Sequence, residues 1–138
     1  MPRYMVSFER GGDFELEFDT NAPQTVAAFC KYTEENKEFP YSAKTLHGRF
    51  SGEEVFFKMP LREVERENFS IKPTQGVVSF NPDPAWCAIC IYYGFRVPEK
   101  PRYQNQFGYL KGDMKQLEEV GLRIWQEGPE KTTIKVIE

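Results

Sequence analysis

Residues 105–128 read NQFGYLKGDMKQLEEVGLRIWQEG and hold, in one run, the patterns of a strand, a turn and a helix. Residues 107–110 form a short apolar run that predicts a strand, and residues 111–113 have the composition of a turn. Asp113 is placed to cap a helix, and Gln116 follows three positions later, as in a capping box. The stretch therefore predicts a helix that begins directly after a strand.

This helix is expected to be short and to lie against a core. One of its faces carries apolar side chains, namely those of Met114, Leu117 and Val120. Gly121 predicts a left-handed stop, and residues 122–125 return to an extended pattern. We therefore expect the helix to cover the end of a sheet or barrel.

Composition and charge narrow the class of protein. The 138 residues suffice for one domain with a substantial core. The net charge of -3, with lysines and arginines scattered among acids, argues against a nucleic-acid partner. No apolar run approaches the ~18 residues that would indicate a membrane span. Three cysteines and an N-terminus without the apolar core of a signal peptide predict reduced thiols and a cytoplasmic location.

Short apolar runs separated by turn residues predict a mainly β protein. Strands are expected at residues 4–8, 14–18, 42–50, 54–59, 69–72, 76–80, 86–93, 107–110 and 132–137. A first helix is expected after the second strand, with Asn21 as its cap, Pro23 in its first turn and Gln24 completing a capping box. About eight antiparallel strands can close into a barrel with no free edge, and the two helices would cap its ends.

Two groups of residues resemble cyclophilins. FELEF at residues 14–18, followed by NAPQTV at 21–26 and Phe29, resembles the cyclophilin strand and first helix. Phe107 and Gly108, with Gly112, Met114 and Leu117, resemble the Phe-Gly-x-Val-x-x-Gly-Met segment and second helix. The resemblance implies one domain, residues 1–138, with a closed cyclophilin-like β-barrel capped by two helices.

The middle of the chain is similar to small prokaryotic cyclophilin-like domains of unknown function, of the Thermotoga-type family. The similarity is carried by four segments, SGEEVFF at 51–57, GVVSFNP at 76–82, IYYG at 91–94 and RIWQEG at 123–128. For that group the resemblance implies a fold and no activity.

The prolyl isomerase site of classical cyclophilins does not carry over. Their catalytic arginine lies in a Phe-His-Arg-x-Ile-x-Gly-Phe-Met-x-Gln-Gly-Gly segment, whereas residues 46–54 here read LHGRFSGEE. Arg49 is displaced from the matching position, and the Phe-Met-x-Gln-Gly-Gly run is missing. We expect no classical isomerase activity.

A binding site is expected at the mouth of the barrel, where pockets commonly form. The predicted residues are Arg49, Glu53 and Glu54 on one side, with Trp86, Tyr92, Asn105 and Phe107 as walls. The expected ligand is a small molecule or a peptide. Two alternatives stay open, an isomerase with a rebuilt site that uses Arg49 as its cation, and a homo-oligomeric assembly protein.

Two further patterns favour structural roles. Cys87 and Cys90 form a CxxC, but they fall in an apolar strand pattern, where side chains three positions apart point to opposite faces. We expect both thiols to be buried, reduced and unreactive. His47 is the only histidine, and no nucleophile motif accompanies it. No cofactor or metal site is predicted, since a zinc site would need further ligands.

Overall fold

A computed structural model describes residues 2–36, 38–48, 53–70, 73–96 and 103–137. It contains two helices, α1 (Pro23–Glu35) and α2 (Met114–Glu127). Its strands are β1 (Tyr4–Phe8), β2 (Asp13–Phe18), β3 (Tyr41–His47), β4 (Glu54–Lys58), β5 (Phe69–Ser70), β6 (Val77–Asn81), β7 (Ala88–Tyr92), β8 (Gln104–Lys111) and β9 (Glu130–Val136).

Eight of these strands close an antiparallel barrel, as the sequence predicts. Going round it, β1 pairs with β2, β2 with β8, and then come β6, β7, β4, β3 and β9, which returns to β1. The two-residue β5 extends the sheet beside β8, beyond the point where β2 ends. The predicted mainly β fold with two helices is confirmed.

Each helix covers one end of the barrel. α1 connects the last residue of β2 to the first of β3, and α2 connects β8 to β9 at the opposite end. We call these the α1 end and the α2 end. Large apolar side chains fill the interior, and an aromatic cluster links the barrel to α1, with Phe29 5.2 Å from Tyr4 and 5.4 Å from Phe107 between ring centroids. These aromatic contacts fix α1 over its end of the barrel.

The predicted stop of α2 at Gly121 is wrong. The helix continues to Glu127, and Gly128, with φ 99°, ends it instead. A Cβ atom at Gly121 would lie 2.1 Å from Cγ of Tyr93, so the ring of Tyr93 rests directly on the helix backbone. Gly121 is therefore a packing residue inside the helix, and the predicted extended segment 122–125 is helical.

Two other local predictions need correction. α1 begins after Ala22, with no side-chain cap from its N-cap residue, so Asn21 does not cap it. β7 begins at Ala88, because residues 84–86 form a turn and Cys87 has a left-handed φ of 42°. Trp86 therefore lies outside the buried strand that the sequence predicts. Predicted strand residues 49, 50, 71 and 72 lie outside the described residues.

Candidate functional site

A groove of about 780 Å³ lies at the α1 end, between α1 and the irregular segment that follows β4. We call it the α1 groove. Its lining residues are Gln24, Ala27, Ala28, Lys31, Tyr32, Glu35 and Asn36 from the helix side and Pro60, Leu61, Arg62 and Glu63 from the segment. The helix residues recur every three or four positions, so they form one continuous face. The groove is therefore built by one helical face and one loop.

Small side chains create the space in the middle of the groove. Ala27 and Ala28 lie at the centre of the helical face and project only a methyl group toward the segment. Leu61 is only 7% exposed and anchors the segment in the core. The apolar floor thus comes from alanine and leucine side chains, while polar and charged side chains surround it.

One end of the groove is closed by aromatic contacts. Tyr32 of α1 packs edge-to-face on Tyr41 of β3, with ring centroids 5.5 Å apart. The hydroxyl of Tyr41 donates to the carbonyl of Lys58, at the end of β4. Burial raises the pKa of Tyr41 to about 12, so the hydroxyl keeps its proton at neutral pH. These contacts hold the beginning of the segment against the C-terminal half of α1.

The other end is closed by Glu67. Its Oε1 accepts from the backbone N–H of Gln24 at 3.2 Å, and its Oε2 accepts from the N–H of Thr25 at 2.7 Å. The Thr25 hydroxyl donates to the same Oε2 at 2.8 Å. A carboxylate is stabilised there because the first N–H groups of a helix lack internal acceptors and carry partial positive charge. The segment therefore supplies the cap that the N-cap residue of α1 does not.

Asn105 supports this arrangement from the barrel. Its side chain is fully buried, and its Oδ1 accepts from the N–H of Glu67 at 3.1 Å. Its Nδ2 donates to the Thr25 hydroxyl at 3.1 Å and to the Glu65 carbonyl at 2.9 Å. One buried amide thus joins the helix, the segment and β8. Asn105 was predicted to be a pocket wall. In the structure it lies behind the groove and holds the start of α1 and the segment in place.

The groove carries charges of both signs. Lys31 and Arg62 supply two cations, and Glu35 and Glu63 supply two carboxylates. All four residues are exposed, so their charges are solvated when the groove is empty. Such a lining can bind a molecule that has an anionic and a cationic group together with an apolar part.

The sequence-predicted site residues do not meet at one mouth. Glu53, Glu54 and Tyr92 lie at the α2 end, where Glu54 pairs with Tyr92 across β4 and β7. Trp86, Asn105 and Phe107 lie toward the α1 end, and Arg49 lies outside the described residues. A strand of five residues spans ~13 Å, which separates the two groups.

Each member of the α1-end group has its own surroundings. Trp86 is 48% exposed and packs edge-to-face on Phe56, with ring centroids 6.2 Å apart. Phe107 is fully buried in the aromatic cluster around Phe29. Within this group only Trp86 offers a surface to solvent.

The α2-end group belongs to a buried polar network. Glu54 is 4% exposed and its carboxylate lies over Gly48. Tyr92 donates to Oε1 of Gln104 at 3.2 Å, and Ser79 donates to the same oxygen at 2.5 Å. Glu53 is half-buried and accepts from the N–H of Arg96 at 3.0 Å. Gln104 thus joins Tyr92 and Ser79, while Glu53 is bonded to the chain at Arg96.

His47 forms a small aromatic cluster at the α2 end. Its Nδ1 lies 2.7 Å from the Gly48 carbonyl, which can only accept, so Nδ1 carries the proton. Nε2 then accepts from the Tyr93 hydroxyl at 2.6 Å. Trp125 of α2 lies over the imidazole, with ring centroids 4.3 Å apart. Burial lowers the pKa of His47, which favours the neutral ring that these bonds require.

The cysteines are partly as predicted. Among the described residues they form no disulfide. Cys90 is buried, and burial, together with the nearby Glu54 carboxylate, raises the pKa of its thiol well above the usual range. Cys87 is only half-buried, which corrects the prediction that both are buried. The turn before β7 explains this exposure.

The described ranges hold no group of three or more His, Cys, Asp or Glu side chains arranged to bind a metal ion. Within those same ranges, no helix has the length and apolar content needed to cross a bilayer.

Sequence reasoning missed the α1 groove. The available signal is the Ala27–Ala28 pair, two small residues on a helix that otherwise carries larger side chains. That signal cannot be interpreted without knowing which segment packs opposite to it.

Comparison with known proteins supports the fold. No protein-family model matches the chain, and no curated protein matches it. The structure of McbB in complex with tryptophan matches with a TM-score of 0.74 and 14% identity, over 96% of this chain and 44% of McbB. The chain thus spans less than half the length of McbB. The solution structure of the hypothetical protein AF2241 from Archaeoglobus fulgidus matches with a TM-score of 0.64 and 19% identity, over 97% of this chain and 93% of AF2241. At these identities the likeness is one of fold, a small antiparallel barrel.

Proposed function

We propose that this protein is a binding module for a small amphipathic molecule of amino-acid size that carries both an anionic and a cationic group. The observation that carries the proposal is the α1 groove, about 780 Å³ in volume, with an alanine floor and both ends closed by side-chain contacts. Ligand sites commonly measure about 300–1,000 Å³ and combine an apolar lining with a few polar groups.

The charges of the groove define the class of ligand. Lys31 and Arg62 suit a carboxylate, and Arg62 can bind one through two parallel hydrogen bonds. Glu35 and Glu63 suit an ammonium group, and the face of Tyr32 suits an apolar or aromatic part. A free amino acid or the terminal residue of a peptide has this combination.

The similarity in fold to McbB, which was solved with tryptophan bound, makes L-tryptophan a sensible first probe. The similarity does not by itself assign a ligand to this chain. The support for the α1 groove comes from its own residues, and tryptophan offers the carboxylate, the ammonium group and the aromatic ring that they suit.

The test is a titration of the isotope-labelled protein with L-tryptophan, followed by NMR amide shifts. Shifts should concentrate on residues 24–36 and 61–63. Ala27→Leu should weaken binding at least about tenfold, because it fills an exposed floor position without entering the core. The matched control is Ala85→Leu, an exposed alanine in the turn before β7 that should leave the affinity unchanged.

Two results would contradict this function. Shifts confined to Glu53, Glu54 and Tyr92 would return the site to the α2 end, where the sequence places part of its predicted mouth. Equal affinities for Ala27→Leu, Ala85→Leu and the unaltered protein would show that the α1 groove does not hold the ligand.

We also propose that this protein is a cyclophilin-like barrel of a prokaryotic cytoplasm and that it lacks isomerase activity. The helix and strand segments that resemble cyclophilins support the first part, and cysteines without disulfides are consistent with a reducing compartment. A protease-coupled assay on a proline peptide tests the second part. Turnover that disappears in Arg49→Ala would overturn it and establish the alternative of a rebuilt isomerase site.

A further inference from the structure

We propose that residues 60–68, which we call the strap, open and close the α1 groove by swinging about their buried start at Leu61, and that the Glu67 carboxylate is the contact that holds the strap closed. The proposal rests on the proposed function of the groove, since the strap contributes one of its walls. It adds a means of controlling that site.

The strap is anchored at its two ends, and between them Val64 packs against the core and the Glu65 carbonyl accepts from Asn105. At its start, Leu61 is buried and its N–H donates to the Met59 carbonyl at 2.8 Å. Near its end, the Glu67 carboxylate receives three hydrogen bonds from the first turn of α1. Within the described part of the chain, no backbone hydrogen bond holds residues 62–64. Residues 62–64 are therefore held by the two anchors and by the packing of Val64, with no backbone hydrogen bond of their own to the described residues.

Backbone geometry marks where the strap can turn. Glu63 has φ 59° and Asn68 has φ 42°, both in the left-handed region. These two residues bracket the piece that carries Glu65 and Glu67. A left-handed conformation is unfavourable for a glutamate, so surrounding contacts must maintain it. When Glu67 leaves α1, Glu63 is free to return to an ordinary conformation, and both changes favour the same open state.

The anchor at Glu67 is the one that can be released without opening the core. Leu61 and Met59 are buried among barrel side chains, whereas Glu67 is half-buried: its carboxylate binds helix N–H groups and one hydroxyl, and its backbone N–H donates to Oδ1 of Asn105 at 3.1 Å. Water can replace a carboxylate at these donors far more readily than it can replace leucine in a core. Gln24, whose N–H binds Glu67, also lines the groove, so the strap contact and the ligand site share a residue.

Limited trypsin digestion measures the opening directly. Arg62 and Arg66 are exposed cleavage sites within the strap, and initial cleavage at each is followed by mass spectrometry. Glu67→Ala should raise cleavage at Arg62 about tenfold, because cleavage follows the population of the open form and a lost helix cap changes such a population by that order. For the Glu67 variants strap cleavage means cleavage at Arg62, because position 67 directly follows the bond that trypsin cuts at Arg66. The matched control is Glu65→Ala, which removes the same charge from an exposed side chain of the strap and should leave cleavage unchanged.

A milder variant keeps the test decisive if Glu67→Ala does not fold. Glu67→Gln retains the size and an acceptor oxygen but removes the charge that favours the helix N-terminus, and it should raise strap cleavage about threefold. Equal strap cleavage in the Glu67 and Glu65 variants would overturn the proposal. So would a Glu67 variant whose cleavage rises equally at Lys111 and Arg123, since that pattern indicates global unfolding.

L-tryptophan provides the second arm of the test. At a concentration ten times its dissociation constant, it should slow cleavage at Arg62 and Arg66 about tenfold, because it binds the closed form. Binding by NMR without such protection would show that the strap is not coupled to the groove and would overturn the proposal. If tryptophan does not bind while Glu67→Ala still opens the strap, the proposed function fails and the closing contact stands.

Discussion

The two helices of this protein begin in different ways. At the start of α2, Asp113 accepts from the N–H groups of Lys115 at 3.0 Å and Gln116 at 3.3 Å, so the cap lies two and three residues from its donors. At the start of α1, the capping carboxylate is Glu67, which lies 43 and 42 residues from its donors. One helix start is complete within its own segment, and the other requires a distant part of the chain.

The difference divides the barrel into a self-sufficient end and a dependent end. The α2 end is held by local caps, by Tyr93 resting on Gly121 and by a buried ion cluster at the end of the helix. The α1 end is completed by contacts with the strap, which is also the wall of a groove. Regions that bind ligands are commonly drawn from the less stable parts of a fold. The comparison therefore associates binding with the α1 end.

The largest effect on stability is expected from a change at Glu130, which holds the α2 end together. Its side chain is 1% exposed and forms ion pairs with Arg123 at 2.7 Å and Arg10 at 3.1 Å. Glu130→Gln should lower the free energy of unfolding by about 3 kcal/mol at pH 7, because it removes a buried charge that is paired with two partly exposed arginines. Urea unfolding measures this. Glu15→Gln, in an exposed pair with Arg3, is the control and should change stability little.

The same residue predicts a pH dependence. Burial acts to raise the pKa of Glu130, but hydrogen bonds and charge from Arg123 and Arg10 outweigh it and lower the pKa below 4.5. A carboxyl whose folded-state pKa is lowered stabilises the protein above its unfolded-state pKa and loses that stabilisation as the pH falls through the folded value. The difference between the unaltered protein and Glu130→Gln should hold from pH 7 to about 5 and shrink below pH 4.5. A difference that grows in acid would contradict this assignment.

Asn105 tests the dependent end. Asn105→Ala should cost about 2–3 kcal/mol, because buried groups of the helix and the strap lose their partners. It should also increase trypsin cleavage at Arg62 and Arg66, since the strap loses its support from β8. The control is Asn81→Ala, which removes a turn contact to the N–H of Asp83 at 3.0 Å and should leave the strap protected. Loss of stability without added strap cleavage would mean that Asn105 serves the barrel alone.

The smallest effect is expected at the start of α2. Asp113→Ala should cost about 1 kcal/mol, as is usual for loss of a helix cap. It should leave trypsin cleavage at Arg62 and Arg66 unchanged, in contrast to Glu67→Ala. Differential scanning calorimetry and the digestion assay together check both statements. Increased strap cleavage in Asp113→Ala would show that the two ends of the barrel are coupled.

The distance along the chain explains which features the sequence could predict. Asp113 is two positions from its donor, so its cap was predicted and is confirmed. Glu67 caps α1 from beyond two strands, and the local alternative, Asn21, was wrong. Glycine often ends a helix, so a stop was predicted at Gly121. In the structure Gly121 instead makes room for the ring of Tyr93 from another element, and only the tertiary fold shows that contact.

The predicted binding mouth failed for the same reason, because it depends on which distant parts of the chain meet. Alternation along strands identifies which residues are buried, and the barrel was predicted from it correctly. It does not say at which end of the barrel a residue lies, so Glu54 and Asn105 were assigned to one mouth although they lie toward opposite ends. The α1 groove depends on a helix facing a loop, and no pattern within either segment reveals that pairing.

The alanine floor of the groove has an evolutionary consequence. Ala27 is exposed on the outer face of α1, away from the aromatic core that fixes the fold. A larger or differently shaped residue there reshapes the cavity at little cost to folding, because the position supports no core contact. If the groove binds ligands as we propose, related chains with the same barrel should differ in the compounds they bind first through changes at this surface position of α1.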